Sequence, residues 1–203
     1  NYNTSGLDYS YGPEKKENRL LTLYANYNKL VESIKSSFDV TAGYDYQYWK
    51  STTPLYSEMN TLGEIQKTSK AKDERHVLLS YYGRLNYSFD SRYMLTTTIR
   101  RDATSRFAKN VRWGTFPSVA LGWRVTEESF LKDNKVLSNL KLRASYGVTG
   151  QQDGIGNYNY LPIYTQSQNG AEASMGNGYI HTYRPSSYVP DLKWETTTSV
   201  SYT

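Results

Sequence analysis

The sequence predicts an all-β fold: an antiparallel segment of transmembrane β-barrel wall, about seven strands wide, with short turns at one rim and long loops at the other. Three observations predict it. Apolar and polar residues alternate with period two over seven stretches, the connections alternate between short and long, and the stretches run ten to fourteen residues. A strand tilted across a bilayer needs about 9–11 residues, whereas strands of soluble proteins average about five or six.

In chain order, the strands are expected at 19–28, 36–49, 75–88, 91–101, 115–125, 139–149 and 191–203. The first presents Leu21, Leu23, Ala25 and Tyr27 to one face, and the second Phe38, Val40, Ala42, Tyr44, Tyr46 and Tyr48. The third and fourth continue with Val77, Leu79, Tyr81, Gly83, Leu85 and Tyr87, then Tyr93, Leu95, Thr97 and Ile99. Pro117, Val119, Leu121, Trp123 and Val125 follow on the fifth, and Leu140, Leu142, Ala144, Tyr146 and Val148 on the sixth. The seventh adds Leu192, Trp194, Thr196, Thr198, Val200 and Tyr202. That series is free of charge, and all strand charges are expected on the opposite face, where Asp39, Asp45, Arg84, Arg92, Arg100, Arg124, Lys141, Arg143, Lys193 and Glu195 fall. A slip of one residue would drive them into the apolar surroundings, so the pattern specifies its own register.

Short connections are expected at 29–35, at the Asp90-Ser91 turn and at 126–138, and long ones at 50–74, 102–114 and 150–191. Short turns at one rim and long polar loops at the other are the arrangement of outer-membrane barrels, whose long loops face outward. Within 126–138, Thr126-Glu127-Glu128 is suited to the start of a short helix carrying Phe130 and Leu131, because a hydroxyl and acids match a helix N-terminus. The 150–191 loop is rich in Gly, Asn, Gln and Tyr.

Composition agrees with strands that are wet on one face and greasy on the other. Tyr occurs 21 times against 5 Phe and 4 Trp, and aromatic residues such as Tyr27, Tyr87, Phe89, Tyr93, Trp123 and Trp194 lie near strand ends, where an interfacial girdle sits. The alternative is a soluble β-sandwich, in which two apolar faces meet each other and the charged faces meet water; on that reading the chain is a secreted or surface glycan-binding module without transport activity. Cysteine is absent, which excludes a disulfide framework, a thiolate nucleophile and a Cys-based zinc site. The net charge of +5 comes from Lys and Arg interleaved with acids, a poor match to a nucleic-acid surface. Asn1-Tyr2-Asn3-Thr4 has no signal-peptide character, so an exported protein would carry that segment upstream.

Two stretches carry a family resemblance: Arg101-Asp102-Ala103-Thr104-Ser105-Arg106-Phe107-Ala108-Lys109-Asn110, and Arg112-Trp113-Gly114-Thr115-Phe116-Pro117-Ser118-Val119-Ala120-Leu121-Gly122-Trp123. With Leu140-Lys141-Leu142-Arg143-Ala144-Ser145-Tyr146-Gly147-Val148-Thr149-Gly150-Gln151, Gly154-Ile155-Gly156-Asn157-Tyr158 and Leu192-Lys193-Trp194-Glu195-Thr196-Thr197, they resemble the barrel signature of SusC/RagA-family TonB-dependent transporters. The resemblance implies that residues 1–203 are part of a 22-stranded barrel domain, from its C-terminal side, in the bacterial outer membrane. It further implies import of large nutrients, oligosaccharides or peptides, with a SusD-like surface lipoprotein as lid and TonB as energy source. The plug and the TonB box are expected outside this chain. Seven strands do not close such a barrel, so the remaining strands and the lipid bilayer are expected partners, and nucleic acid is not.

No catalytic constellation emerges, and no enzyme activity, cofactor or metal is expected. His76 and His181 lack ligand spacing. Asp39 and Asp45 are about 20 Å apart on an extended strand, too far for glycoside cleavage. Gly150-Gln151-Gln152-Asp153-Gly154-Ile155-Gly156 lacks the Lys-Ser/Thr of a phosphate loop. Candidate contacts to substrate or lid are the rings and amides of the last long loop, Tyr158, Asn159, Tyr160, Gln166, Gln168, Tyr179 and Tyr183, since flat rings and amides suit sugars and peptide backbones. Arg100, Arg101, Asp102, Arg106 and Trp113 form the base of the signature loop, where packing is favoured over substrate contact.

Overall fold

The computed structural model describes residues 7–10, 13–131, 137, 139–166, 172–176, 178–185 and 188–203. Its long strands are β2 (Lys15–Val31), β3 (Ser36–Thr53), β6 (Lys72–Phe89), β7 (Tyr93–Thr104), β8 (Trp113–Arg124), β9 (Lys141–Gln151) and β14 (Glu195–Tyr202). Shorter ones lie between them: β1 (Leu7–Ser10), β4 (Tyr56–Asn60), β5 (Ile65–Ser69), β10 (Tyr164–Gln166), β11 (Glu172–Ser174), β12 (Tyr179–His181) and β13 (Tyr183–Pro185). The seven long strands form one antiparallel sheet in the order β14-β9-β8-β7-β6-β3-β2, in which each pairs with the long strand nearest it in sequence. All seven expected strands are present.

Pairing aligns the apolar series row by row. Leu23 is opposite Tyr44, and Tyr44 opposite Tyr81. Tyr87 faces Leu95, Leu95 faces Leu121, Leu121 faces Ala144, and Ala144 faces Tyr202. This shared face is uncovered: Leu23 is 57% exposed, Ile99 56% and Leu121 57%. Among the described residues the buried apolar side chains are Ala103, Phe107, Phe116 and Val125, all near the rims. A sandwich would bury this face against a second sheet. Each large aliphatic left in water instead would forgo roughly 1.5–3 kcal/mol, so the face belongs against lipid, and the sandwich reading falls.

The turn rim is compact. Asp90 and Ser91 both have positive φ, 49° and 54°, and Arg92 N–H closes the turn on the Phe89 carbonyl at 3.0 Å. At the end of β2 a 3-10 turn, Glu32–Ile34, finishes on left-handed Lys35 with φ 49°.

Three expectations are corrected. The helix beginning at Thr126 is a 3-10 turn, Val125–Glu127, and no α-helix occurs among the described residues; Phe130 is 70% exposed, so no apolar stripe is buried to support one. The loop 50–74 is largely strand, because β3 and β6 run on past the expected bounds and the β4–β5 hairpin fills the gap and pairs with β1. Finally, strand charges are not confined to one face. Arg19 pairs with Tyr48, Arg75 with Lys50, and Arg101 with Tyr81 and Thr115, all on the apolar parity. These charges cluster at the loop ends of their strands, where the apolar band gives way to water.

Candidate functional site

The polar face of the sheet lines what would be the barrel lumen. Toward the turn rim it carries a side-chain ladder: Asn28 Nδ2 donates to Asn26 Oδ1 at 2.6 Å, and Asn26 Nδ2 to Asp39 Oδ1 and Thr41 Oγ1 at 2.7 and 2.8 Å. Higher up, Arg100 is held from three sides. Its Nε donates to both Asp102 oxygens at 2.9 and 3.0 Å, its Nη2 to buried Ser80 Oγ at 2.8 Å, and its Nη1 lies 3.5 Å from Asp45. The two acids that sequence reading considered as a catalytic pair thus have separate partners, Asn26 for Asp39 and Arg100 for Asp45.

Above Arg100 the signature loop folds into the loop rim. Phe107 is fully buried and meets Trp194 edge-on at 5.5 Å, while Phe116 meets the same indole at 5.3 Å. Trp194 Nε1 donates to the Arg112 carbonyl at 2.9 Å, which fastens the start of β14 to the loop. Gly114 and Gly150 make the cluster possible, since a Cβ on either would stand 2.5 or 2.1 Å from the Phe116 ring. Arg106 then reaches the last long loop: its Nε donates to Asn157 Oδ1 at 3.2 Å and its Nη1 to the Gln152 carbonyl at 3.1 Å. On the apolar side of the rim, Arg101 lies over the Trp113 ring at 5.1 Å. Arg100, Asp102 and Arg106 therefore meet inner-wall and loop groups, whereas Arg101 and Trp113 sit on the outer surface.

The candidate loop residues are dispersed. Tyr158 Oη reaches the Arg75 carbonyl at 3.5 Å, and the Asn159 carbonyl accepts from Val189 N–H at 3.0 Å. Tyr160 is half-buried beside them in sequence. Gln166 and Tyr183 are brought together as a β10–β13 pair, and Tyr179 sits on the separate β11–β12 hairpin. Tyr179 and Tyr183 are 74% and 66% exposed. Gln168 lies outside the described residues. Sequence reading missed the rings of the inner wall, Tyr24, Trp49 and Tyr82. Their parity, opposite to the apolar series, was the available signal.

At the turn rim, Glu128 gathers Tyr93 Oη at 2.5 Å, Trp123 Nε1 at 3.0 Å and Arg92 Nη1 at 3.3 Å. The hydrogen bonds from Tyr93 and Trp123, with the charge of Arg92, hold its carboxyl below the ordinary range against a smaller opposing effect of burial. Arg92 also pairs with Asp90, whose N–H donates to the Lys35 carbonyl at 2.7 Å, so three turns are linked. No group of three or more His, Asp or Glu placed to hold a metal occurs among the described residues. His181 pairs with Glu172 at 3.4 Å, and His76 stacks on Trp49.

Known proteins share this arrangement. The family described as TonB dependent receptor-like, beta-barrel, matches residues 1–202. The TonB-dependent receptor SusC of Bacteroides thetaiotaomicron is 43% identical over 189 residues, covering 86% of this chain and 18% of that protein. The TonB-dependent receptor P39 of Formosa agariphila is 34% identical over 199 residues, 88% of this chain and 18% of that receptor. A chain from the structure of the RagAB peptide transporter superposes with a TM-score of 0.76 at 22% identity, over 93% of this chain and 21% of its own length. The chain thus spans about a fifth of the length of the relatives it matches, and these relatives are named as receptors or transporters rather than enzymes. With the match running along nearly every residue and the two-faced sheet agreeing with it, the chain belongs to the TonB-dependent receptor β-barrel family, is SusC-like within it, and forms wall of an outer-membrane barrel.

Proposed function

We propose that this chain is the wall and part of the outer mouth of a TonB-dependent importer of large nutrients, oligosaccharides or peptides, working as the barrel part of a SusCD-like complex. The observation that carries the reading is the seven-stranded open sheet with one apolar and one polar face and with two edge strands, β2 and β14. An open edge in lipid leaves backbone N–H and C=O groups without partners, so further strands of the same barrel complete the wall. On this reading residues 1–203 are barrel, and the plug and TonB box lie elsewhere in the transporter. A SusD-like lipoprotein covers the loop rim, and energy arrives through TonB. Tyr158, Asn159, Tyr160, Gln166, Gln168, Tyr179 and Tyr183 are the proposed contacts to substrate or lid. Arg100, Arg101, Asp102, Arg106 and Trp113 hold the loop base, and what supports this is that each polar group of Arg100 and Arg106 described above already has a protein partner.

The mechanism assigns little motion to this segment. The wall stays rigid through its ladder of backbone bonds while the plug moves, and the loops guide substrate toward the lumen. The test is uptake of fluorescent oligosaccharide and peptide mixtures by cells carrying the intact transporter, with and without TonB. Uptake that requires both proteins is expected; uptake unchanged by loss of TonB would contradict the proposal.

A further inference from the structure

The lipid-facing side of the sheet carries arginines at one height. On β2, Arg19 stands eight residues from Tyr27, and on β7, Arg101 stands eight residues from Tyr93; each tyrosine lies toward the turns and each arginine toward the loops. Tyr27 shares its row with Val40, Leu85 and Thr97, so by β7 the tyrosine level has stepped four residues toward the turns, to Tyr93. Arg101 shares its row with Tyr81, Tyr44 and Leu23, four residues from Arg19 in the same sense. Four residues are about 13 Å of strand and three strand spacings about 14 Å, an offset that matches the tilt of roughly 35–45° usual in such barrels. Arg19 and Arg101 are therefore level with each other, at the loop-side edge of an apolar band about 20 Å tall.

Both guanidiniums rest on rings: Arg19 over Tyr48 at 5.8 Å and Arg101 over Trp113 at 5.1 Å, with Trp113 stacked on Tyr81 at 6.2 Å. Arg101 is exposed, and no ion pair with a described acid engages it. Farther toward the loops the same face carries Lys15, Glu17, Lys50, Asp73 and Arg75. Glu17 pairs with Arg19, while Asp73 is shared between Lys50 at 3.2 Å and Arg75 at 3.9 Å. Lys50 and Arg75 are directly opposite each other, which destabilises a strand pair unless an anion lies between them. Five cations against two acids leave this face positive.

We propose that this belt, Arg19, Lys50, Arg75 and Arg101 with Tyr81 and Trp113, is a binding site for lipopolysaccharide, the phosphorylated glycolipid of the outer leaflet. Its phosphates sit on the cations and its acyl chains on the apolar rows beneath, where Leu21 and Leu23 are 49% and 57% exposed. A guanidinium offers paired donors that match phosphate oxygens, and a ring beneath it holds the fork at the boundary without using those donors. Position and charge decide the occupant. The long loops face outward, so lipid at this height belongs to the outer leaflet. A zwitterionic phospholipid would bring an ammonium group to a face that is already positive. The site requires only that the wall stands in the outer membrane, whatever the barrel carries.

The test is native mass spectrometry of the intact, delipidated receptor in detergent, titrated with diphosphoryl lipid A, its dephosphorylated form, phosphatidylglycerol and inorganic phosphate. Diphosphoryl lipid A should bind, and more tightly than the dephosphorylated form. Arg19→Gln and Arg101→Gln should each weaken binding about fivefold, the equivalent of about 1 kcal/mol per cation at a membrane surface, whereas Arg84→Gln on the lumenal face should leave it unchanged. Glu17→Gln, which releases Arg19, should tighten binding by about the same factor, a gain that a damaged barrel would not show. The proposal is overturned if the dephosphorylated lipid binds equally well, if Arg101→Gln and Arg84→Gln behave alike, or if Glu17→Gln fails to tighten binding. Phosphatidylglycerol bound as tightly and with the same sensitivity would make the belt a general anionic-lipid surface, and displacement of lipid A by equimolar inorganic phosphate would make it a free-anion site; either result also overturns it.

Discussion

The two rims of the sheet are held by different physics. At the turn rim, partly buried charges and polar tips do the fastening: Lys35, Asp90, Arg92, Tyr93, Trp123 and Glu128 link the short turns at 32–35 and 90–92 to the longer connection at 125–140. At the loop rim, buried rings do it, with Phe107 and Phe116 against Trp194 and with glycines clearing the space. The two short turns constrain the chain by their own geometry, so a few polar contacts suffice to hold them. A long loop has far more conformational freedom to lose, and a fixed shape requires apolar burial or bonds to distant segments. Arg106, bonded to a residue 51 positions away, is such a bond.

The largest test of that difference removes the buried ring. Phe107→Ala should cost about 3–5 kcal/mol of loop-rim stability, the usual range for a buried Phe, and protease should then cut within 105–112 while the long strands stay protected. Equal protease resistance in the variant would mean that Arg106 and the backbone hold the loop without the ring.

At the other rim the expected effect is smaller and depends on pH. Because Tyr93, Trp123 and Arg92 depress the Glu128 carboxyl below its unfolded value of 4.5, its contribution is present above that value and is lost as pH falls through the depressed one. Asp90 follows the same sign: burial opposes ionisation, but Arg92 and Lys35 outweigh it and hold the carboxyl low. Amide exchange around 125–131 should therefore quicken in acid, and Glu128→Gln should abolish most of that dependence. The protection of the Phe107 cluster should be the same across this range. The smallest expected change is Ser91→Gly, which relieves a positive φ and should stabilise the turn rim by roughly 1 kcal/mol. A destabilised variant would show that the Ser91 side chain, rather than the backbone geometry, sets the turn.

These differences also explain what was legible in the sequence. Parity along a strand is a local property, so the seven strands and the face shared by residues such as Leu95 and Leu121 followed from period two alone, while the pairing of the two came from the fold. The height at which lipid ends is not encoded in parity, and Arg19, Arg75 and Arg101 were therefore assigned to the wrong side: they share the apolar face but stand beyond the band. The β4–β5 hairpin was read as loop although Asn60 carries its signal, since its Oδ1 accepts from the N–H groups of Leu62 and Glu64 ahead of Gly63 at φ 78°. Thr126-Glu127-Glu128 has the composition of a helix start, yet Glu128 is taken by Tyr93, Trp123 and Arg92. The candidate site was the least legible part. Tyr24, Trp49 and Tyr82 share a face only when three strands, β2, β3 and β6, are laid side by side.

The central claim is that the two faces meet different solvents, and neighbouring residues on β8 test it most directly. Val119 faces the apolar side opposite Thr97 and Tyr146, and Ser118 faces the polar side opposite Thr98 and Gly147. In the intact receptor refolded into lipid, Val119→Arg should cost about 2–4 kcal/mol, the range for an arginine facing lipid near the bilayer midplane, and Ser118→Arg should cost close to nothing. Equal costs at the two positions, or the reverse order, would contradict the account.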